Sequence, residues 1–415
     1  MGTSTKLKFS SEGIVLADPQ MKSNPYELYR QLRAESPVCR VKFTEQSSYA
    51  WLITRYDDVI SVLRDPRIAN DRRNIPSSKQ SVRLRVLYKV FGPVIFNMLT
   101  SDEPNHTRLR GLVHKAFTQK RVEELRARVE SLTNELAHAL REKQTWDVVG
   151  DYALPIPTTI IAEMLGVPAA DRKRFKRWSD SLLLSSATSW TGMIRNVPMF
   201  MAFLRYIRGL VKARRKNPQD DLISALVLAE EAGDKLTEDE LVSMIFLLLI
   251  AGYETTVNLI GNGTLALLEN PEQLEKLRAN PGLAVPAVEE FLRYYSPLDY
   301  TQSRGARTDI TIAGSTIRAG DIIVAAIGSA NRDELQFTNP DVMDITRDPN
   351  RHIAFGQGIH YCLGAFLARM EAQIAFRTIV EHFPDLRLAV ARDTLQWRKS
   401  MLIRGLEELP VKDSA

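Results

Sequence analysis

The sequence predicts a mainly α fold with a minor β part (α+β), on three observations. Helical spacing punctuated by proline fills most of residues 105–216. Residues 238–269 read as one long helix with an apolar middle. Short β-branched runs are confined to two places, near residue 50 and after about residue 300.

Taken in order, residues 25–35 and 57–65 predict short amphipathic helices around a strand at Tyr49–Thr54. Residues 81–100 mix Arg, Val, Leu, Tyr and Phe without a clear period, which suggests a mobile loop region. Helices are expected over 105–145, 158–187 and 197–216, with Pro155, Pro157, Pro168 and Pro218 between or at the edges of these segments. Thr237 followed by Glu240 is a capping-box signature, and nothing breaks the pattern until Asn270-Pro271. Such a helix would be ~48 Å long at 1.5 Å per residue, and Met244–Ala251 is apolar on every face, so it should be buried throughout. Asp309–Ile312, Ser315–Arg318 and Asp321–Ala325 read as strands, and a last helix is expected over 363–382. No repeat, low-complexity tract or Gly/Ser linker divides the chain, so one domain over residues 1–415 is expected.

Composition narrows the function classes. The chain carries 55 basic and 50 acidic residues, a formal net charge of +5. Arg172-Lys173-Arg174 and Lys212-Ala213-Arg214-Arg215-Lys216 are dense enough to suggest nucleic acid. They lie in helical periodicity, however, which fits solvated helix faces or an acidic protein partner better. Only Cys39 and Cys362 are present, too few for a disulfide framework or a cysteine-rich zinc site, and the count fits a reducing compartment. The first six residues show no apolar run, Lys6 breaks the myristoylation pattern, and the longest strongly apolar stretch, Met244–Ala251, is far below the ~20 residues of a membrane span. A soluble, cytoplasmic monomer without a membrane anchor and without nucleic acid is the expectation.

The densest chemistry lies in Phe355-Gly-Gln-Gly-Ile-His-Tyr-Cys362-Leu-Gly364. Three glycines in ten residues immediately before or at the start of an apolar helix allow positive φ and close approach to a flat ligand. A cysteine at a helix N-terminus faces unpaired N–H groups, which favour thiolate over thiol. The residues by themselves leave three readings: a buried core cysteine, a nucleophile served by nearby His360, or a metal ligand. The segment resembles the haem-binding signature of the cytochrome P450 family, F-G-x-G-x-H-x-C-x-G, at all six fixed positions, including Phe355, Gly356 and His360. The resemblance implies haem b held by a thiolate from Cys362, beneath a long central buried helix.

Three further segments test that resemblance independently. Ala251-Gly252-Tyr253-Glu254-Thr255 places an acid and a hydroxyl inside the apolar helix, where they are costly without partners or work, and Gly252 can allow a local bulge. A threonine bonded back to its own helix beside a hydrated glutamate would also account for them. The segment is similar to the family's A-G-x-[DE]-T motif, which implies that Thr255 hydrogen-bonds the dioxygen and Glu254 helps deliver protons. Glu290-Phe-Leu-Arg293 puts opposite charges on one helix face, a pair that is usually worth little at a surface. It resembles the E-x-x-R motif, with Arg347 as the later arginine that joins it. His106-Thr-Arg-Leu-Arg110 puts two cations on one helix face able to grip one anion, or simply solvated there. It resembles the family's H-T-R-x-R element, which implies that His106 and Arg110, with Arg304 and His360, bind the haem propionates.

The resemblance runs from about residue 18 to 411, includes Ala330-Asn-Arg-Asp333 and Arg404–Pro410, and departs at Glu334, where proline often stands. It implies a monooxygenase that hydroxylates or epoxidises a lipophilic molecule: a polyketide, terpenoid, steroid or fatty acyl compound. No dinucleotide motif or cluster cysteines occur, so electrons should come from an acidic ferredoxin or flavodoxin and its reductase, docking at Arg108, Lys115 and Arg369. Leu87, Phe96, Leu99, Leu183, Phe203, Leu248, Leu298 and Met401 are the expected pocket residues, and Asp299 beside Tyr300 reads as a solvated loop acid, the alternative being a contact with a basic substrate group such as an amino sugar. A sensing or binding protein without turnover would need the cysteine loop and propionate grips but not Glu254 or Thr255. A peroxide-driven enzyme would prefer an arginine where that acid–alcohol pair stands.

Overall fold

The computed structural model describes residues 14–16, 18, 22–43, 49–76, 96–171, 174, 178, 190–231, 236–400 and 402–413. Helices are α1 (Tyr26–Glu35), α2 (Tyr56–Arg64), α3 (Asn105–Ala116), α4 (Gln119–Glu123), α5 (Arg126–Arg141), α6 (Pro155–Met164), α7 (Trp190–Lys216), α8 (Leu222–Glu231), α9 (Glu238–Glu269), α10 (Pro271–Ala279), α11 (Ala284–Tyr294), α12 (Ile327–Ala330) and α13 (Ala365–His382). Strands are β1 (Val38–Lys42), β2 (Tyr49–Ile53), β3 (Ile68–Ala69), β4 (Trp146–Asp147), β5 (Arg304–Ala306), β6 (Ile310–Ile312), β7 (Ser315–Ile317), β8 (Ile322–Ala325), β9 (Arg387–Leu388) and β10 (Pro410–Lys412).

Helix α9 forms as its sequence predicts. The Thr237 hydroxyl accepts from the Glu240 N–H at 3.2 Å, and the Glu240 carboxylate accepts from the Thr237 N–H at 2.8 Å. Three acidic residues in its first turn complement the helix dipole. The helix is long and apolar enough to cross a membrane, but 67% of its most apolar stretch is buried within the protein. It packs against α6, α11 and α13. At Gly263 the crossing is so close that a Cβ would strike the Phe376 and Phe291 rings, whose centroids lie 4.6 Å apart.

The main sheet joins residues 38–69 to residues 304–325, in the order β1-β2-β8-β5-β3. β1 and β2 form an antiparallel pair with Val38 opposite Ile53, and β2 runs parallel to β8 with Trp51 opposite Ile323. β1 escapes sequence reading because Arg40 and Lys42 interrupt its apolar signal, although Val38, Cys39 and Val41 are buried.

Other boundaries also differ from the periodic reading. The helical stretch expected over 105–145 consists of three helices, α3 to α5. Pro155 and Pro157 stand at a helix edge as expected, in the first turn of α6, where a missing N–H is harmless. Helix α7 starts at Trp190 and accommodates Pro198 inside it, and α8 was not foreseen. Residues 81–95 of the loop expected over 81–100 and most of 172–189 lie outside the described residues.

Asp299 is a clear correction. It is 1% exposed and bound to Lys22 Nζ at 3.0 Å, beside the Tyr29–Tyr300 hydroxyl pair at 2.6 Å. An isolated buried carboxylate is prohibitively costly, so a cation 277 residues away in sequence was brought to it. Glu334, the departure from the family pattern, binds Arg33 of α1 at 2.7 Å.

Candidate active site

The cysteine loop is built on backbone geometry. Gly356 and Gly358 have φ of +73° and +72°, and a Cβ on Gly358 would come within 2.9 Å of the Leu63 carbonyl at the end of α2. The Cys362 N–H donates to the Phe355 carbonyl at 2.9 Å, closing the loop. Helix α13 begins at Ala365 with Gly364 as its cap, so the cysteine stands just ahead of the helix rather than at its cap. Burial pushes the Cys362 thiol up, against the Gly364 N–H, Arg110 and Arg369, which favour the thiolate. A bound metal cation would tip that balance to the anion.

Behind the loop lies a clamp not singled out from sequence. Arg369 sits 4.4 Å over the Phe355 ring and is held by Glu289 at 2.7 and 2.8 Å. Glu289 also meets His352 Nε2 at 2.9 Å. Burial would raise the Glu289 carboxyl, but Arg369 and His352 outweigh it and hold it down to about 2.

The four predicted anion-binding residues are drawn from distant segments. His106 and Arg110 lie one turn apart on α3, Arg304 opens β5, and His360 lies in the turn before Cys362. The His106 and His360 rings are 4.3 Å apart, and Arg110 donates to the Tyr361 carbonyl at 2.8 Å. Among the described residues neither ring nitrogen of buried His106 has a hydrogen-bond partner, nor has Arg304 Nε. Burial, His106 and Arg304 push His360 down to about 3, and burial takes Arg304 down to about 10. His106 and Arg110 are lowered too, first by burial. Basic side chains, wholly or partly buried, that depress one another and leave nitrogens unpartnered are chemically suited to a dianion, whose charge offsets that depression. Sequence reading missed their support: Asn70 lies 2.8 Å from His360 Nε2, and Asp102 takes Arg307 at 2.7 Å and the Asn70 N–H at 2.8 Å.

On α9 the buried surface opens along a single stripe. Leu247, Ile250, Ala251, Glu254 and Thr255 are partly or fully exposed, while their neighbours on other faces are mostly buried. Their i, i+3, i+4 spacing puts them on one side of the helix. The helix continues without a bulge through Gly252, and the Thr255 hydroxyl donates to the Ala251 carbonyl at 3.1 Å. Glu254 is 13% exposed and 3.7 Å from Arg398, which is anchored to the Leu406 carbonyl at 3.0 Å. Burial raises the Glu254 carboxyl, and Arg398 partly opposes this. Arg398 lies 144 residues away, with no spacing signal to find it.

Of the expected pocket residues, Leu87, Leu183 and Met401 lie outside the described residues. Phe203 packs against Trp178 and Phe246, Leu298 is half-buried beside Ile403, and Leu99 is 39% exposed. Of the expected docking cations, Arg108 is bound to Glu240 and Arg369 to Glu289.

Haem fits these residues: a cysteine on a glycine-shaped loop, a dianion-binding cluster, and a helix stripe spared by packing. Residues 13–394 match the sequence profile of the family described as Cytochrome P450. The chain is 44% identical over 408 residues to the polyketide biosynthesis cytochrome P450 PksS of Bacillus subtilis (strain 168), covering 98% of each chain. The solved structure of that enzyme superposes with a TM-score of 0.89, covering 96% of this chain and 99% of the other. P450BioI, solved in complex with a hexadec-9Z-enoic acid ligated acyl carrier protein, is 40% identical with a TM-score of 0.86, covering 95% of this chain and 100% of the other. 6-Deoxyerythronolide B hydroxylase of Saccharopolyspora erythraea is 40% identical over 93% of this chain and 95% of its own. The chain therefore belongs to the cytochrome P450 family, as a monooxygenase whose cofactor is haem b.

Proposed function

We propose that this P450 hydroxylates or epoxidises a lipophilic molecule of the polyketide or fatty acyl class, with electrons from a ferredoxin or flavodoxin. Cys362 would hold the haem iron, His106, Arg110, Arg304 and His360 would hold the propionates, and Phe355 and Gly356 would shape the loop that carries the cysteine. The haem supplies dioxygen activation and C–H oxidation. The protein's own residues supply protons in the right place. Glu254, with its carboxyl raised by burial, takes a proton from solvent and returns it inward, and Arg398 limits how tightly that proton is held. The Thr255 hydroxyl, one residue on, donates to Ala251 at rest and accepts from an incoming donor through its lone pairs.

The single observation that carries turnover over sensing is the acid–alcohol pair on the open stripe of α9. A protein that only binds haem needs neither. The names of the relatives support the substrate class: one acts in polyketide biosynthesis, one is a 6-deoxyerythronolide B hydroxylase, and one is solved with an acyl carrier protein. An acyl chain delivered on a carrier is thus one form the substrate takes in this reading. The test is optical titration of the purified haem protein with polyketide lactones, fatty acids, terpenoids and steroids. Displacement of iron-bound water by the first two classes supports the reading, and a response confined to the others overturns it.

A further inference from the structure

The charge of this chain is unevenly placed. Residues 172–219 hold twelve of its 55 basic residues and one of its 50 acidic ones, Asp180. That segment carries +11 and the rest of the chain −6. Most of the asymmetry falls on α7, whose 27 residues include seven cations and no acid. The inner face of α7 is apolar: Phe200, Phe203, Ile207 and Val211 are buried, and both phenylalanine rings lie 5.9 Å from Phe246 of α9. Phe246 is one turn before Ile250 on the open stripe, so α7 roofs the substrate side of the site. Its outer face shows Arg205, Lys212, Arg215 and Lys216 to solvent, with Arg174 near it, stacked on Trp178.

We infer that the outer face of α7 is the docking surface for an acidic carrier protein that presents the substrate as an acyl thioester. This rests on the polyketide or fatty acyl reading above. Complementary charge favours an acidic protein, and a dipolar charge distribution orients it on approach. A membrane surface is disfavoured, because an interfacial helix must bury an apolar face in lipid. Here the apolar face is spent on the core, and Met201, 40% exposed, is the one large exposed hydrophobic residue of α7 among those described. An electron donor must approach the cysteine side, whereas α7 packs on α8 and α9. The thioester takes no part in the oxidation, so the bonds made and broken are those of the monooxygenation itself.

The test uses the haem protein, palmitoyl-loaded acyl carrier protein, unloaded carrier and free palmitate. The loaded carrier should perturb the haem spectrum with a Kd about tenfold or more below that of free palmitate, and high salt should erase the advantage. Arg205→Glu with Lys212→Glu should weaken carrier binding about tenfold and leave free palmitate binding unchanged, which also reports correct folding. Carrier binding equal in variant and wild type overturns the inference. So does a variant that loses binding to phosphatidylglycerol vesicles alone. If palmitate perturbs nothing, free or loaded, while unloaded carrier still binds wild type and not the variant, the docking surface stands and the fatty acyl reading falls.

Discussion

Thr255 and Glu254 are adjacent on one helix yet meet different surroundings. The threonine bonds its own backbone, so its hydroxyl contributes about 1 kcal/mol or less to folding. Thr255→Ala should leave stability nearly unchanged and cut product per electron by about tenfold, with hydrogen peroxide making up the difference. Coupled turnover at the wild-type yield would show that the hydroxyl has no such role. Glu254 is raised by burial, so it stays protonated above the ordinary carboxylate range. The rate should fall as pH rises through that raised value, and Glu254→Gln should flatten the profile. Arg398 lowers the Glu254 carboxyl, so Arg398→Gln should move the falling limb to higher pH. Cys362→Ser should abolish the long-wavelength Soret band of the reduced carbon monoxide complex, because only an anionic sulfur donor produces it. The cysteine, acid and alcohol were all legible in the sequence because their neighbours carry a spacing. Arg398, Asn70 and Asp102 were not, because each acts across more than thirty residues through contacts no local pattern encodes.

At the scale of elements, α11 is tied down twice. Glu290 and Arg293 are both 0% exposed and bound at 2.7 Å, Arg347 adds a contact at 3.2 Å, and Arg293 also donates to the Pro340 carbonyl at 2.7 Å. The spacing predicted the pair, but only the fold shows it fully desolvated. Removing one partner strands the other charge, so Glu290→Ala should cost about 3–5 kcal/mol in chemical unfolding. Glu289, one residue earlier, links α11 to α13 through Arg369. Its carboxyl is held at about 2, below its unfolded range, so it stabilises the fold above about pH 4.5 and loses that contribution as pH falls toward 2. Glu289→Gln should remove up to about 3 kcal/mol at neutral pH and flatten the acid limb of the stability curve.

The whole molecule is held together by contacts between its ends. The main sheet pairs β2 with β8, 272 residues apart, and Lys22 reaches Asp299 nearby. Asp299→Asn would remove the carboxylate that faces the buried Lys22 ammonium, at a cost of about 3–5 kcal/mol read as a lower thermal midpoint. If the midpoint were unchanged, the buried pair would have to be compensated elsewhere. Charge is also organised at this scale, with the basic roof of α7 set on a chain that is otherwise net acidic.

The sequence by itself determined the family, the cysteine loop, the long buried helix with its cap, and the pairing of acid with alcohol. All of these are written over ten to thirty consecutive residues, where glycine conformation and helical spacing act locally. Only the tertiary structure decided that Asp299 is buried on Lys22, that Glu289 clamps Arg369 behind the cysteine, and that α3, β5 and the cysteine loop bring four basic side chains together. Burial changes the energy of a charge by several kcal/mol, and whether a charge is buried depends on which distant element covers it. That information exists only once the chain has closed on itself.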